Sequence, residues 1–216
     1  MPNTFATARV VSTAAVPASP PAPGSLPGAA TVAAGTAIDR LKARLPEHAR
    51  DLRINLGVIA TATALTPQQA WGTALTAALT ARNAEVVTAI ADAAAPYLAA
   101  DAMFAARGTA SIMAMSNVYN RFVHMMGEDS DYAEMPVRLR MQLIGKPGVD
   151  PLDFELWCLA AASITGCEHC VRSHEAAVRD RGGSVEQVHE AVRIAAVVHA
   201  IALALATAPP GETIAL

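Results

Sequence analysis

Forty-nine of the 216 residues are alanine and only 4% are aromatic. Alanine is the strongest helix former and a poor strand former, and its small side chain lets helices approach closely. The chain is therefore read as all-α. Apolar residues make up 53% and charged residues 16% of it, which excludes a wholly disordered polymer. At this length one domain with an appendage is expected. Sixteen Lys and Arg against 19 Asp and Glu give a net charge of −3 with no basic cluster, so the electrostatic footprint of a nucleic-acid binder is missing. The longest apolar run, 194–206, contains His199 and is shorter than the roughly 20 residues that cross a bilayer. Near the N-terminus Arg9, Pro17, Pro20, Pro21 and Pro23 interrupt any signal-like stretch. The expectation is a cytoplasmic protein with no membrane span.

Residues 1–36 carry one charge, Arg9, and six of the 14 prolines. That composition predicts a disordered or loosely docked extension ahead of a helical catalytic domain over 37–216. Helix punctuation then recurs. Thr36 can cap a helix over 37–45, and Pro46 opens a segment to Ile59 with Leu52, Leu56 and Ile59 on one face. Thr66-Pro67 opens a helix to about Arg82, and Asn83 starts another that ends before Pro96. A long apolar segment covers 98–126, where Met103, Met113, Met115, Met125 and Met126 read as soft core packing. Gly127 to Asp131 reads as an acidic turn, and Pro136 to Ile144 as a short helix. Asp150-Pro151 restarts the pattern up to a stop at Gly166, Cys167 begins a helix ending at Gly182-Gly183, and Ser184 to Gln187 has the form of a capping box leading to about Thr207. An offset of 86 relates Trp71 to Trp157 and Arg107 to Arg193, which suggests two related helical halves.

The most specific feature is Cys167-Glu168-His169-Cys170 followed by His174. Two thiols separated by two residues at a helix start can close a small-ring disulfide, and the free N–H groups and dipole there favour thiolate. In a helix, His174 lies one turn beyond Cys170 on the same face, placed to exchange its proton. The same residues supply three zinc ligands, Cys167, Cys170 and His174, with Glu155 or His169 needed to complete a site; that keeps a zinc-stabilised interaction protein as an alternative to a redox dithiol. Three cysteines in a chain of this length do not form a structural disulfide framework, and Cys158 reads as an inert core thiol. Glu155 sits alone in the apolar run Phe154 to Leu159 and needs a partner if buried, although periodicity alone makes it a surface residue. His169 reads as either a functional group or a solvated helix-start residue. His48, His124, His189 and His199 read as structural, with His199 buried.

Asp153-Phe154-Glu155-Leu156-Trp157, Cys167-Glu168-His169-Cys170 and His174, together with Leu41 to Pro46, Gln69 to Thr73 and Ala81 to Asn83, resemble alkyl hydroperoxidase D, the AhpD family. Asp153 stands where the family pattern has Asn. The resemblance implies an internally duplicated helical homotrimer that reduces organic hydroperoxides, regenerates a peroxiredoxin, AhpC, and is itself reduced by dihydrolipoamide carried on the lipoyl-bearing acyltransferase of a 2-oxoacid dehydrogenase, with no tightly bound cofactor. It further implies that Cys170 meets peroxide and becomes sulfenic acid, and that Cys167, the more accessible thiol, resolves it and exchanges with the partner. Glu155 and His174 would form a proton relay with His169 nearby. A lactone enzyme like carboxymuconolactone decarboxylase shares a similar fold but has no need of the cysteine pair.

Overall fold

The computed structural model describes residues 37–127 and 129–208; the N-terminal extension, the Thr36 cap and the last eight residues lie outside them. Among the described residues every regular element is helical. Helix α1 covers 37–44. The segment from Pro46 to Ile59, read from sequence as one helix, is a 3-10 turn over Glu47–Ala49 followed by α2 (Arg50–Asn55) and α3 (Val58–Thr61). Its Leu56 and Ile59 are nevertheless buried.

The centre of the fold is a crossing of α4 (Pro67–Ala81) with α9 (Pro151–Thr165). Thr66 caps α4 through a full capping box with Gln69, and Asp150 caps α9 by accepting from the Leu152 N–H; each helix has Pro at its first position. Both end on a left-handed residue, Arg82 at φ 62° and Gly166 at φ 68°. The next residue in each case caps the following helix: Asn83 for α5 (Ala84–Ala94) and Cys167 for α10 (Glu168–Asp180). The helix boundaries thus recur at an offset of 84 residues, not the 86 set by the tryptophans. On that register Asn83 occupies the place of Cys167.

Helices α6 (Ala100–Met126) and α11 (Val185–Ala206) each pack on both α4 and α9. By length and composition α11 could cross a membrane, but its Ile194, Ala195, Val198, Ile201 and Ala202 are buried in the core shared with α4 and α9. Alanine makes the central crossing close. Ala74, Ala77 and Ala78 of α4 and Ala160 of α9 are fully enclosed, and Gly72 lies directly against the indole of Trp157, whose Nε1 donates to the Gln69 carbonyl at 3.3 Å. Glu190 of α11 ties the loop before α4, its carboxylate accepting from the backbone N–H groups of Thr63, Ala64 and Leu65.

Two further sequence expectations are corrected. Pro136 starts no helix: the acidic turn leads into a one-turn helix, α7 (Asp131–Glu134), and residues 136–141 are non-helical before α8 (Gln142–Gly145). Val137-Arg138-Leu139-Arg140-Met141 alternates apolar and charged, and it alternates half-buried and exposed in the structure, which is the period of an extended chain. His199 is exposed, because only one face of α11 meets the core.

Candidate active site

The end of α9 positions the dithiol. Gly166 takes the left-handed conformation that lets the chain turn out of one helix and into the next. Cys167 then acts as the cap of α10, its Sγ accepting the Cys170 N–H at 3.3 Å. Cys167 and Cys170 are joined in a disulfide, with Cα atoms 5.3 Å apart. Ala162 and the two cysteines form one buried cluster, with Val171 packed against it. The sequence reading made Cys167 the more accessible thiol; the structure places Cys167 at 0% and Cys170 at 3% exposure, so both are enclosed. The physical reason is the capping role: a side chain folded back over the first turn of its own helix is covered by that turn.

Glu155 is buried, and both carboxylate oxygens have cationic or proton-donating partners. Oε2 lies 2.7 Å from Nδ1 of His174, and Oε1 lies 3.3 Å from a guanidinium nitrogen of Arg181. Gly166 hid this pairing from the sequence, because the face of α9 cannot be projected through a left-handed turn onto α10. His174 and Arg181 share a face of the α10 segment, seven residues apart, and that spacing could have revealed Arg181. His169 does not join this pair. Its ring lies 5.7 Å, centroid to centroid, from the ring of His124 on α6, and both imidazoles are exposed. His124, read as purely structural, is therefore part of the surface beside the dithiol. His48 and His189 are exposed, and His199 borders a separate cleft of about 400 Å³ with Arg82, Asn83 and Leu203.

Helix α6 closes the other side, and sequence reasoning missed it. Asn117 donates to the Thr165 hydroxyl at 2.8 Å, Arg121 to the Thr165 carbonyl at 2.7 Å, and Asn120 to Cys170 Sγ at 3.9 Å. The signal was present as polar residues at positions 117, 120, 121 and 124, which share one helical face.

Cys158 is buried and unpaired with another cysteine. Burial pushes its thiol well above the ordinary range, and the Glu155 charge adds to that. Peptide mapping under non-reducing conditions is accordingly expected to return Cys167 linked to Cys170 and Cys158 as free thiol; a dominant bridge through Cys158 would contradict the site.

Asp153, in place of the Asn that the resemblance leads one to expect, is buried and accepts from Gln68 and Gln69 side chains at 2.7 Å each. Burial raises its carboxyl above the ordinary range, against the two amide bonds, and Asp150 adds to the rise. A raised folded value means that the fold prefers the protonated form; that stabilisation is complete below the unfolded value and is lost as pH rises through the folded one. Asp153→Asn keeps an acceptor for Gln69, and a flipped Gln68 amide can accept from the new N–H. Urea unfolding at a series of pH values is expected to show the variant gaining on the wild type as pH rises through the folded value and levelling off above it. A constant difference across that range would show that Asp153 does not titrate as its burial implies.

The family model described as carboxymuconolactone decarboxylase family matches residues 130–212. Proteins named alkyl hydroperoxide reductase AhpD match over most of the chain. That of Rhodospirillum centenum is 50% identical over 168 residues, 78% of this chain and 90% of the relative. That of Gluconacetobacter diazotrophicus is 51% identical over 168 residues, 78% and 92%, and that of Mycobacteroides abscessus 47% identical over 172 residues, 80% and 97%. With identity at this level over nine-tenths or more of each relative's length, the chain belongs to the alkyl hydroperoxide reductase AhpD family.

Proposed function

We propose that this protein reduces organic hydroperoxides through Cys170 and Cys167 and passes reducing equivalents to a peroxiredoxin of the AhpC type. The observation that carries the reading is the buried Glu155–His174 pair at 2.7 Å, with His174 one helical turn from Cys170 of the disulfide. The name borne by the relatives supports the substrate class.

Cys170 thiolate attacks the peroxide; an S–O bond forms, the O–O bond breaks, and the alkoxide takes a proton to leave as alcohol. Cys170 is then a sulfenic acid, oxidised by two electrons. Cys167 thiolate attacks that sulfur, the S–S bond forms, and hydroxide leaves as water after taking a proton. His174 serves both proton transfers: Nδ1 is engaged by Glu155, which leaves Nε2 for exchange at the dithiol. Arg181 and His174 together hold the Glu155 carboxylate in a fixed orientation. An external dithiol of the dihydrolipoamide class, carried on a lipoyl-bearing acyltransferase, supplies two electrons and two protons to reopen the disulfide. The working protein in this reading is a cytoplasmic homotrimer.

Peroxide consumption by the purified protein, with and without dihydrolipoamide and the cognate peroxiredoxin, tests this. Turnover that needs dihydrolipoamide, rises with the peroxiredoxin and is abolished in Cys170→Ser is expected. Turnover unaffected by Cys170→Ser, or none with any dithiol, would overturn it.

A further inference from the structure

Helix α6 buries one face along its first half, through Ala102, Ala105, Ala106, Thr109, Ala110 and Met113. Continued at helical spacing, that face becomes Asn117, Asn120, Arg121 and His124. Polar side chains on an inward stripe need partners. Asn117 Nδ2 and Arg121 find theirs in Thr165 and so fix α6 to the last turn of α9, while the buried Asn117 Oδ1 has none. Asn120 is different, because its amide N–H points to Cys170 Sγ, at 3.9 Å against 3.3 Å for the Cys170 N–H to Cys167 Sγ.

The two sulfurs are therefore served by different donors. The first turn of α10 gives its Cys170 N–H to Cys167 Sγ, so by local geometry the helix start favours charge on Cys167. Cys170 receives its donor from across the site, from Asn120. We propose that Asn120 is a catalytic residue that stabilises the Cys170 thiolate and so makes the second cysteine of the motif the attacking one. The inference rests on the reading of Cys170 as the sulfur that meets peroxide. A disulfide sulfur is a weak acceptor, whereas a thiolate in the same place is a strong one. The bond strengthens when two electrons open the disulfide, and a donor to the charged form favours that form. When the thiolate attacks and the O–O bond breaks, the amide remains beside the sulfur that has gained oxygen.

The test is the pH dependence of alkylation of the reduced protein by iodoacetamide, read separately at Cys167 and Cys170 by peptide mass mapping. Asn120→Leu removes the donor, and the Cys170 midpoint is expected to rise by about one pH unit, the size of one hydrogen bond to a charged group. The Cys167 midpoint stays where it is. Asn120→Asp has nearly the same shape but sets a negative oxygen against the sulfur, so the rise at Cys170 is expected to be larger. Should the leucine variant fail to fold, the aspartate variant decides. An unmoved Cys170 midpoint in the folded variants, or an equal shift at both cysteines, overturns the proposal. Because this titration uses no peroxide, a protein without peroxide turnover would sink the proposed function while leaving the assignment of Asn120 to be read directly.

Discussion

Glu155→Gln and His174→Phe are each expected to slow peroxide turnover by about 10²- to 10⁴-fold, the range of general acid–base assistance. A thiolate nucleophile needs a proton acceptor when it forms and a proton donor when the peroxide oxygen leaves. His174 is the imidazole one turn from Cys170, and Glu155 holds it at 2.7 Å. Glutamine preserves the shape of Glu155 and removes its charge; Arg181, with its side chain 40% exposed, can turn to water. The fold is therefore expected to survive, as circular dichroism would show. If the two residues act as one relay, the double variant loses little more than either single one. Near-normal turnover in both, with Cys170→Ser inactive, would leave the dithiol chemistry standing and remove the relay.

Gly72→Val is expected to be the most damaging single change to stability. A Cβ at this position would overlap the buried indole of Trp157, and neither partner can withdraw, since α4 and α9 are each pinned by two other helices. Overpacking of this kind costs about 1–3 kcal/mol, and displacing Trp157 also loses its bond to the Gln69 carbonyl, about another 1 kcal/mol. At about 2–4 °C per kcal/mol for a domain of this size, the melting temperature falls by about 10 °C. Thermal unfolding at one fixed protein concentration measures it. A loss below about 2 °C would mean that the crossing is looser than the contact of Gly72 with Trp157 implies.

The parts of this fold that were legible in the sequence are those decided locally. Thr66-Pro67, Asp150-Pro151, Gly166 and Ser184 to Gln187 announce helix ends through their own backbone chemistry, and the structure puts caps at Thr66, Asp150 and Ser184 and the left-handed turn at Gly166. What was not legible depends on where one helix meets another. Glu155 and His174 lie 19 residues apart, and a left-handed turn between them removes any shared periodicity. The polar face of α6 was masked by the surrounding methionines, which drew the whole segment into the core. His199 sits in an apolar run, but burial depends on which face of α11 meets the core, and His199 is on the other one. The tryptophans and the helix boundaries give different offsets for a related reason: side-chain identity reflects packing, whereas backbone punctuation reflects the path of the chain.

The enclosure of the disulfide has a kinetic consequence. A thiol opens a disulfide by approaching along the line of the S–S bond, and here Cys167 is fully enclosed and Cys170 only 3% exposed. The oxidised protein must first loosen the start of α10 or the end of α6, and that waiting time belongs to the protein rather than to its reductant. Reduction then has a ceiling: as reductant concentration rises the rate stops climbing, and chemically different dithiols converge on the same limiting value. Oxidised molecules would then be drained at a pace fixed by a helix end, whichever thiol reduces them.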